Sequence, residues 1–218
     1  GANGYLGRNF IKKAIKQNYK IFAVTRKKNN KKIKNVKWLV GSIDKEWKGL
    51  SRSDILIHFA AVGVNKKFAS LKRCFDFNVL KSTNLILNAL KANCLNWIII
   101  TSNKEQKIDK IKINKETIKK NMKTPYFNHA LTKSIFSRIC LTFTNNKIKC
   151  RIIKLFHVYG GDERKTRLWP SLIKSAKNNK DFKMTPGKQI YDFNHIEDIV
   201  DGLLDAINFN RKSKYFPQ

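Results

Sequence analysis

Acidic residues are what this chain has least of. Only 15 Asp and Glu stand against 46 Lys and Arg, leaving a formal net charge of +31 over 218 residues. A charge of that size, taken by itself, points to nucleic acid or an anionic lipid surface. Its distribution argues otherwise. Lysines are scattered along almost every segment beside many asparagines, and only Lys27 to Lys34 and Lys104 to Lys123 form dense runs. No RNA-binding aromatic signature, helix-turn-helix spacing or heptad accompanies them, so nucleic acid is not the expected partner. The joint Lys and Asn enrichment has the character of a drift in codon composition, although such a drift does not by itself deplete Glu. The excess remains compatible with an anionic, phosphate-bearing ligand and with loose nucleic-acid affinity.

Long apolar runs are also missing. None reaches the roughly 18 residues of a membrane span, and no signal peptide is visible. Cysteine is sparse: Cys74, Cys94, Cys140 and Cys150 show neither a C-x-x-C nor a zinc spacing, so no metal site is expected. Each lies in an apolar stretch, which reads as buried reduced thiols and a cytoplasmic protein. No internal repeat is present. A hydrophobic fraction of 42% nevertheless supports a real core, enough for one domain and part of another.

The chain is organised around Gly1-Ala2-Asn3-Gly4-Tyr5-Leu6-Gly7. Its evenly spaced glycines run into a helix-period pattern of Leu6, Phe10, Ile11, Ala14 and Ile15. Glycine lets backbone approach a pyrophosphate closely, and the helix that follows aims its unpaired N–H groups at the phosphates. The spacing is G-x-x-G-x-x-G rather than the dinucleotide fingerprint G-x-G-x-x-G. The strand that should precede it is missing from the sequence. In a sheet ordered 3-2-1-4-5-6 that strand lies in the middle, so the sequence reads as a fragment of a longer chain that would fold poorly as written.

Strand signals alternate with helical ones. Tyr19–Thr25, Val36–Val40, Asp54–Ala61, Trp97–Ser102 and Cys150–Phe156 read as strands. Helices are expected over Leu71–Ala92, Phe127–Thr144 and Ile196–Phe209, with another around Pro170, and the Lys-rich stretch to Lys123 reads as an exposed loop with room for a helical turn. This rhythm predicts an α/β protein with a doubly wound, Rossmann-type parallel sheet. Residues 1–161 would form the dinucleotide-binding domain. Residues 162–218 would form a small, incomplete substrate lobe, with 187–209 returning to the first domain. Helix 127–144 is apolar on more than one face, which fits either a dimer interface or complete burial.

Ligands of such sheets bind at the carboxyl ends of the strands. The residues there are the glycine turn, Arg26, Ser42, Ala60-Ala61, Ser102 and Phe156-His157-Val158. Arg26, with Lys27 and Lys28, stands where an acidic residue would bind a ribose 2′-hydroxyl; a basic group suits a 2′-phosphate and points to NADP, with NAD as the alternative.

The pieces G-A-N-G-Y-L-G, I-H-F-A-A (57–61), N-V-L-K-S-T-N (78–84), T-S (101–102), H-A-L-T-K (129–133), H-V-Y-G (157–160) and Y-D-F-N-H-I-E-D (191–198) occur in order over nearly the whole chain. Together they resemble the extended short-chain dehydrogenase/reductases of the nucleotide-sugar epimerase/dehydratase type. The V-T-R-K run and the H-V-Y-G to Y-D-F run are similar to bacterial sugar-nucleotide reductases. The resemblance implies hydride transfer between a sugar carbon of a nucleoside-diphosphate sugar and a nicotinamide, in surface polysaccharide synthesis, by a homodimer. It places the cofactor on Gly1, Gly4, Tyr5, Leu6, Gly7, Arg26, Ser42, Ile43, Phe59, Ala60, Ala61, Asn78, Lys133, Phe156 and Val158. Substrate would meet Asn103, His157, Arg164, Arg167 and Tyr191.

In such enzymes a tyrosine transfers the proton, a lysine one helical turn on lowers its pKa, and a Ser or Thr positions the substrate hydroxyl. Ser102 and Lys133 match, but the tyrosine position is His129. Three readings stay open: His129 is the acid/base, Tyr126 reaches the substrate instead, or the protein is a catalytically silent dinucleotide binder with a redox-sensing or RNA-associated role. Asn103-Lys104 stands where family dehydratases carry Asp-Glu, so 4,6-dehydration is not expected. Tyr191 replaces the arginine that reaches the diphosphate. His58 reads as structural, and His195 has no assigned role.

Overall fold

A computed structural model describes residues 1–27, 32–64, 70–109 and 126–212, with 114, 116, 119 and 121 as isolated positions. Lys28 and half of the second Lys-rich run lie outside the described residues. In chain order the elements are α1 (Tyr5–Ala14), β1 (Ile21–Thr25), β2 (Val36–Val40), β3 (Leu56–His58), α2 (Leu71–Phe75) and α3 (Ser82–Lys91). A π-helical stretch, Asp76–Lys81, joins α2 to α3. There follow β4 (Asn96–Ser102), α4 (Glu105–Asp109), α5 (Phe127–Thr142), β5 (Lys149–Leu155), β6 (His157–Tyr159), α6 (Leu168–Lys177), β7 (Phe193–His195) and α7 (Ile196–Lys212).

The core is built around β4. Its run Trp97-Ile98-Ile99-Ile100 is apolar at every position, and alternate strand residues face opposite sides, so both faces must be covered. Ile98 and Ile100 pack against Phe10 and Ala14 of α1 and against Val200, Leu203 and Leu204 of α7. Trp97 and Ile99 pack the other way, against Ile86 and Ala89 of α3 and Phe136 and Cys140 of α5. Each Ile, Leu, Val or Phe among them contributes roughly 1.5–3 kcal/mol by leaving water.

All strand pairs are parallel. β1 pairs with β2, β4 lies between β3 and β5, and β6 pairs with β7. This is the expected α/β arrangement with helices on both faces of a parallel sheet. Among the described residues no strand pairs β1 with β3, and that gap falls where the order 3-2-1-4-5-6 has its first strand.

Several expectations need correction. β3 ends at His58 rather than Ala61, because the chain leaves the ladder to pass beneath Gly1. β5 stops at Leu155, and a new strand pair begins at His157, whose N–H donates to Asp192 O at 3.1 Å. The helical turn after Lys104 is α4, and it is not exposed: it buries Glu105 and Ile108. Of the two readings left open for the apolar surplus of α5, burial holds on its front half, where Phe127 and Leu131 pack against Ile108.

Candidate active site

The glycine turn closes with Gly4 N–H donating to Gly1 O at 2.9 Å, and Gly4 is the residue that opens α1. Two of its glycines are fixed by packing. A Cβ on Gly1 would lie 2.5 Å from Ala60 N, and one on Gly7 would lie 2.4 Å from Gly1 O. Gly4 differs: its Cβ would meet only backbone of Gly1, at 3.0 Å and beyond. No side chain caps α1 and no acidic residue lies in its first turn. Its first N–H groups and positive dipole end are therefore left for an anion.

Asn3 Nδ2 donates to Thr25 Oγ1 at 2.7 Å, tying the turn to the end of β1. The next residue, Arg26, is exposed and within electrostatic reach of Gly1. Arg8 donates to Asn3 O at 2.9 Å and steadies the other side. Tyr5 Oη and Glu163 Oε2 are buried without a hydrogen-bond partner among the described residues. Burial, helped by the nearby Glu163 carboxylate, pushes the Tyr5 phenol up to about 12, so it stays a donor. An uncapped helix end, an open glycine and an orphaned hydroxyl fit a dinucleotide pyrophosphate.

The remaining expected cofactor residues divide. Ala60 is buried and Ala61 half-buried where the chain leaves β3, while Phe59 packs its ring 5.5 Å from Phe10. Ser42 donates to Asp44, Leu6 and Ile43 are held in the core, and Val158 faces the core from β6. Phe156 is exposed between β5 and β6. Asn78 has both amide hydrogens engaged, on Val62 O and Thr132 Oγ1 at 3.0 Å each, and its Oδ1 accepts from Val62 N at 2.9 Å. It is 1% exposed. Asn78 thus holds Val62 in place.

Val62 is what orients His129. Nδ1 of His129 lies 2.9 Å from Val62 O. A carbonyl only accepts, so Nδ1 carries the proton and Nε2 keeps its lone pair. Burial pushes the imidazole down to about 4 against the Val62 bond, and Lys133 and Lys104 add to the fall. One turn on, Lys133 is 2% exposed. Burial lowers its ammonium to about 8, although the Glu105 carboxylate opposes the fall. Ser102 ends β4, where its Oγ accepts from Lys104 N at 3.3 Å. Asn103 N donates to Leu155 O at 3.0 Å, which pins this turn to β5. His58 is core: its Nε2 meets Ser82 Oγ at 3.0 Å and its ring packs on Phe136.

Lys104 gathers the substrate side. Its Nζ sits 3.4 Å from the centre of the exposed Tyr126 ring, a cation–π contact. Its charge also reaches His157, whose pKa is lowered by burial and then by Lys104 and Arg167. His157 packs 4.5 Å from Tyr191, which continues through Phe193 to Trp169 and Tyr159 as one aromatic surface. Arg167 is held by Glu163 at 3.0 Å. Arg164 is exposed, and its carbonyl closes the turn to Arg167 N–H. The site thus joins Tyr126, His129, Lys133, Lys104, His157, Arg167 and Tyr191, with Arg164 at the margin. Sequence reasoning missed Lys104 as a contributor, because it read that position only for a missing carboxylate. It missed Glu105 as well.

These burials give a pH prediction. His129 and His58 bind a proton less readily folded than unfolded, and for His129 the unfolded chain carries more protons between about 4 and the ordinary 6.5. Stability is therefore complete above that window and lost as pH falls through it. Lys133 acts higher, with stability rising from about 8 toward 10.5. Urea midpoints should fall between neutral pH and about pH 5, and His129→Phe should flatten part of that slope. An identical slope in the variant would contradict the assignment.

The profile of the NAD dependent epimerase/dehydratase family matches residues 1–215. CDP-abequose synthase of Salmonella typhimurium is 26% identical over 226 residues, covering 97% of this chain and 69% of the relative. UDP-glucose 4-epimerase of Thermotoga maritima, solved with UDP-glucose, aligns with TM-score 0.74 at 17% identity over 95% of this chain and 71% of its own. A DesIV double mutant, a dTDP-glucose 4,6-dehydratase from Streptomyces venezuelae with NAD bound, aligns with TM-score 0.72 at 16% identity, covering 94% and 70%. At such identities the solved structures speak to the fold, which is that of the sheet described above. Among the described residues no helix is long and apolar enough to cross a membrane, and no cluster of His, Cys, Asp or Glu could hold a metal ion.

Proposed function

This chain belongs to the NAD dependent epimerase/dehydratase family, and from that premise we propose that it is an oxidoreductase or epimerase acting on a nucleoside-diphosphate sugar. The observation that carries the reading is the segment after β3, where Phe59 and Ala60 lie against Gly1 of the uncapped glycine turn and Val62 holds His129, one turn from Lys133. When bound, a nicotinamide nucleotide supplies the hydride acceptor or donor. Gly1, Gly4 and Gly7 with the α1 N-terminus would hold its pyrophosphate, and Arg26 favours a 2′-phosphate and hence NADP.

His129 does the proton work in this reading. At neutral pH its imidazole is uncharged, and Nε2 is a proton acceptor oriented by Val62. It suits removal of a proton from a sugar hydroxyl better than donation to a ketone. Ser102 is the residue that would orient that hydroxyl. Lys133, an ammonium at neutral pH, would hold the ribose of the cofactor and stabilise charge beside His129. Lys104 and Arg167 offer cationic partners to the diphosphate in place of the arginine replaced by Tyr191. The product would be a modified sugar nucleotide for surface polysaccharide synthesis.

A second reading has one observation behind it: an imidazole held near 4 donates poorly, as in a silent dinucleotide binder. His129→Tyr separates the two. Turnover falls in a site that uses imidazole and rises in a silent site that lacks its phenol.

The proposal includes a second copy of the chain. Phe75, Leu80 and Leu87 are exposed along the α2–α3 run, and Leu141 is exposed on α5. Leu87→Glu should convert dimer to monomer in sedimentation equilibrium; a wild-type monomer would overturn this part of the reading.

A further inference from the structure

The least expected group in the molecule is a buried carboxylate. Glu105, on α4, is 1% exposed in a chain with few acidic residues. Ser137 Oγ lies 3.3 Å from both of its carboxylate oxygens and 2.9 Å from Lys133 O. One hydroxyl proton cannot serve all three acceptors, so the carboxylate's compensation falls to the ammonium groups nearby. Lys154 of β5 places Nζ 3.9 Å from Oε2, and Lys133 lies within electrostatic reach.

Lys133 has the complementary difficulty. A buried ammonium needs a counter-charge, because its desolvation otherwise costs several kcal/mol. A phenol at position 129 can become anionic and supply one, but the histidine found there cannot. The charged and titratable groups facing Lys133 are His129 and Cys140 from its own helix, His58 from β3, and Glu105 from α4. Lys154 from β5 and Lys104 after β4 add positive charge around that set. Glu105 is the carboxylate among them.

We propose that Glu105 is the counter-ion of Lys133: a positioning residue, reaching the site only through the lysine, that supplies the negative charge a neutral His129 cannot. The idea rests on the proposed function only in giving Lys133 a task, and the apoprotein suffices to test it. Glu105→Gln, Lys133→Met and the double replacement form a cycle read by urea denaturation at neutral pH. The expected result is a loss of midpoint in Glu105→Gln that is largely recovered in the double variant, since a buried pair removed together leaves no orphan charge. Additive losses would overturn the pairing. If Glu105→Gln does not fold alone, a folded double variant supports the pair and an unfolded one overturns it.

Nζ resonances of labelled lysines give a second readout, with Lys133 assigned by its loss in Lys133→Met. In Glu105→Gln its titration midpoint should fall by about one pH unit or more. An unmoved midpoint would contradict the proposal. Failure of the wild-type protein to bind any nicotinamide nucleotide would overturn the proposed function, while both readouts still decide the role of Glu105.

Discussion

Gly7→Ala is expected to abolish nicotinamide-nucleotide binding while leaving the sheet folded. The added Cβ would stand 2.4 Å from Gly1 O, 2.7 Å from Ala2 O and 2.8 Å from Ala2 Cα. All three are backbone atoms, so no side-chain rotation relieves the overlap. The turn must open, and the first N–H groups of α1 leave the position that the pyrophosphate needs. A displacement of about 1 Å at a positioned ligand costs on the order of a hundredfold. Gly202→Ala is the control, because a Cβ there meets nothing within 4 Å. Fluorescence titration measures both variants, and circular dichroism reports the fold. Unchanged affinity in Gly7→Ala would mean that the nucleotide does not sit on the turn.

His129→Phe should lower turnover by about 10²–10⁴-fold, the usual contribution of a positioned acid or base, with cofactor affinity nearly unchanged. Oxidation of a sugar hydroxyl needs Nε2 unprotonated, so activity should rise through about 4 as His129 loses its proton. It should fall through about 8 as Lys133 loses its charge. The bell would therefore be broad and flat around neutrality. Removing the imidazole deletes the acid limb and leaves the alkaline one. Cofactor binding without turnover in the wild type would instead favour the silent reading.

How much of this was legible in the sequence follows from which forces are local. β2 was found at its true ends, Val36 and Val40, because a short apolar strand between turn residues carries its own signal. The glycine turn was legible because its close backbone contacts leave no room for side chains. β3 was overextended because Phe59, Ala60 and Ala61 are as apolar as a strand, and only the passage beneath Gly1 ends the pairing. The faces of α5 could not be assigned from spacing. Phe136 and Cys140 turn to the sheet, whereas Phe127 and Leu131 are covered by α4, a helix hidden in a lysine run.

The same limit governs the site. The positions of Ser102 at a strand end and of His129 and Lys133 one turn apart on a helix are legible, because strand and helix spacing are local. Glu105 was overlooked because a single acidic residue among lysines reads as surface. Its burial depends on Ser137 and Lys154, which are distant in sequence. The hold of Asn78 on Val62 is not legible either, because no pattern connects the amide to that loop backbone.

The most direct test of a nucleotide-binding oxidoreductase site here is a fluorescence titration of the protein with NADPH and, separately, with NADH. Saturable binding that favours NADPH is the predicted result, with the phosphate end on the glycine turn and the 2′-phosphate beside Arg26. Binding of neither nucleotide would contradict the reading at its centre.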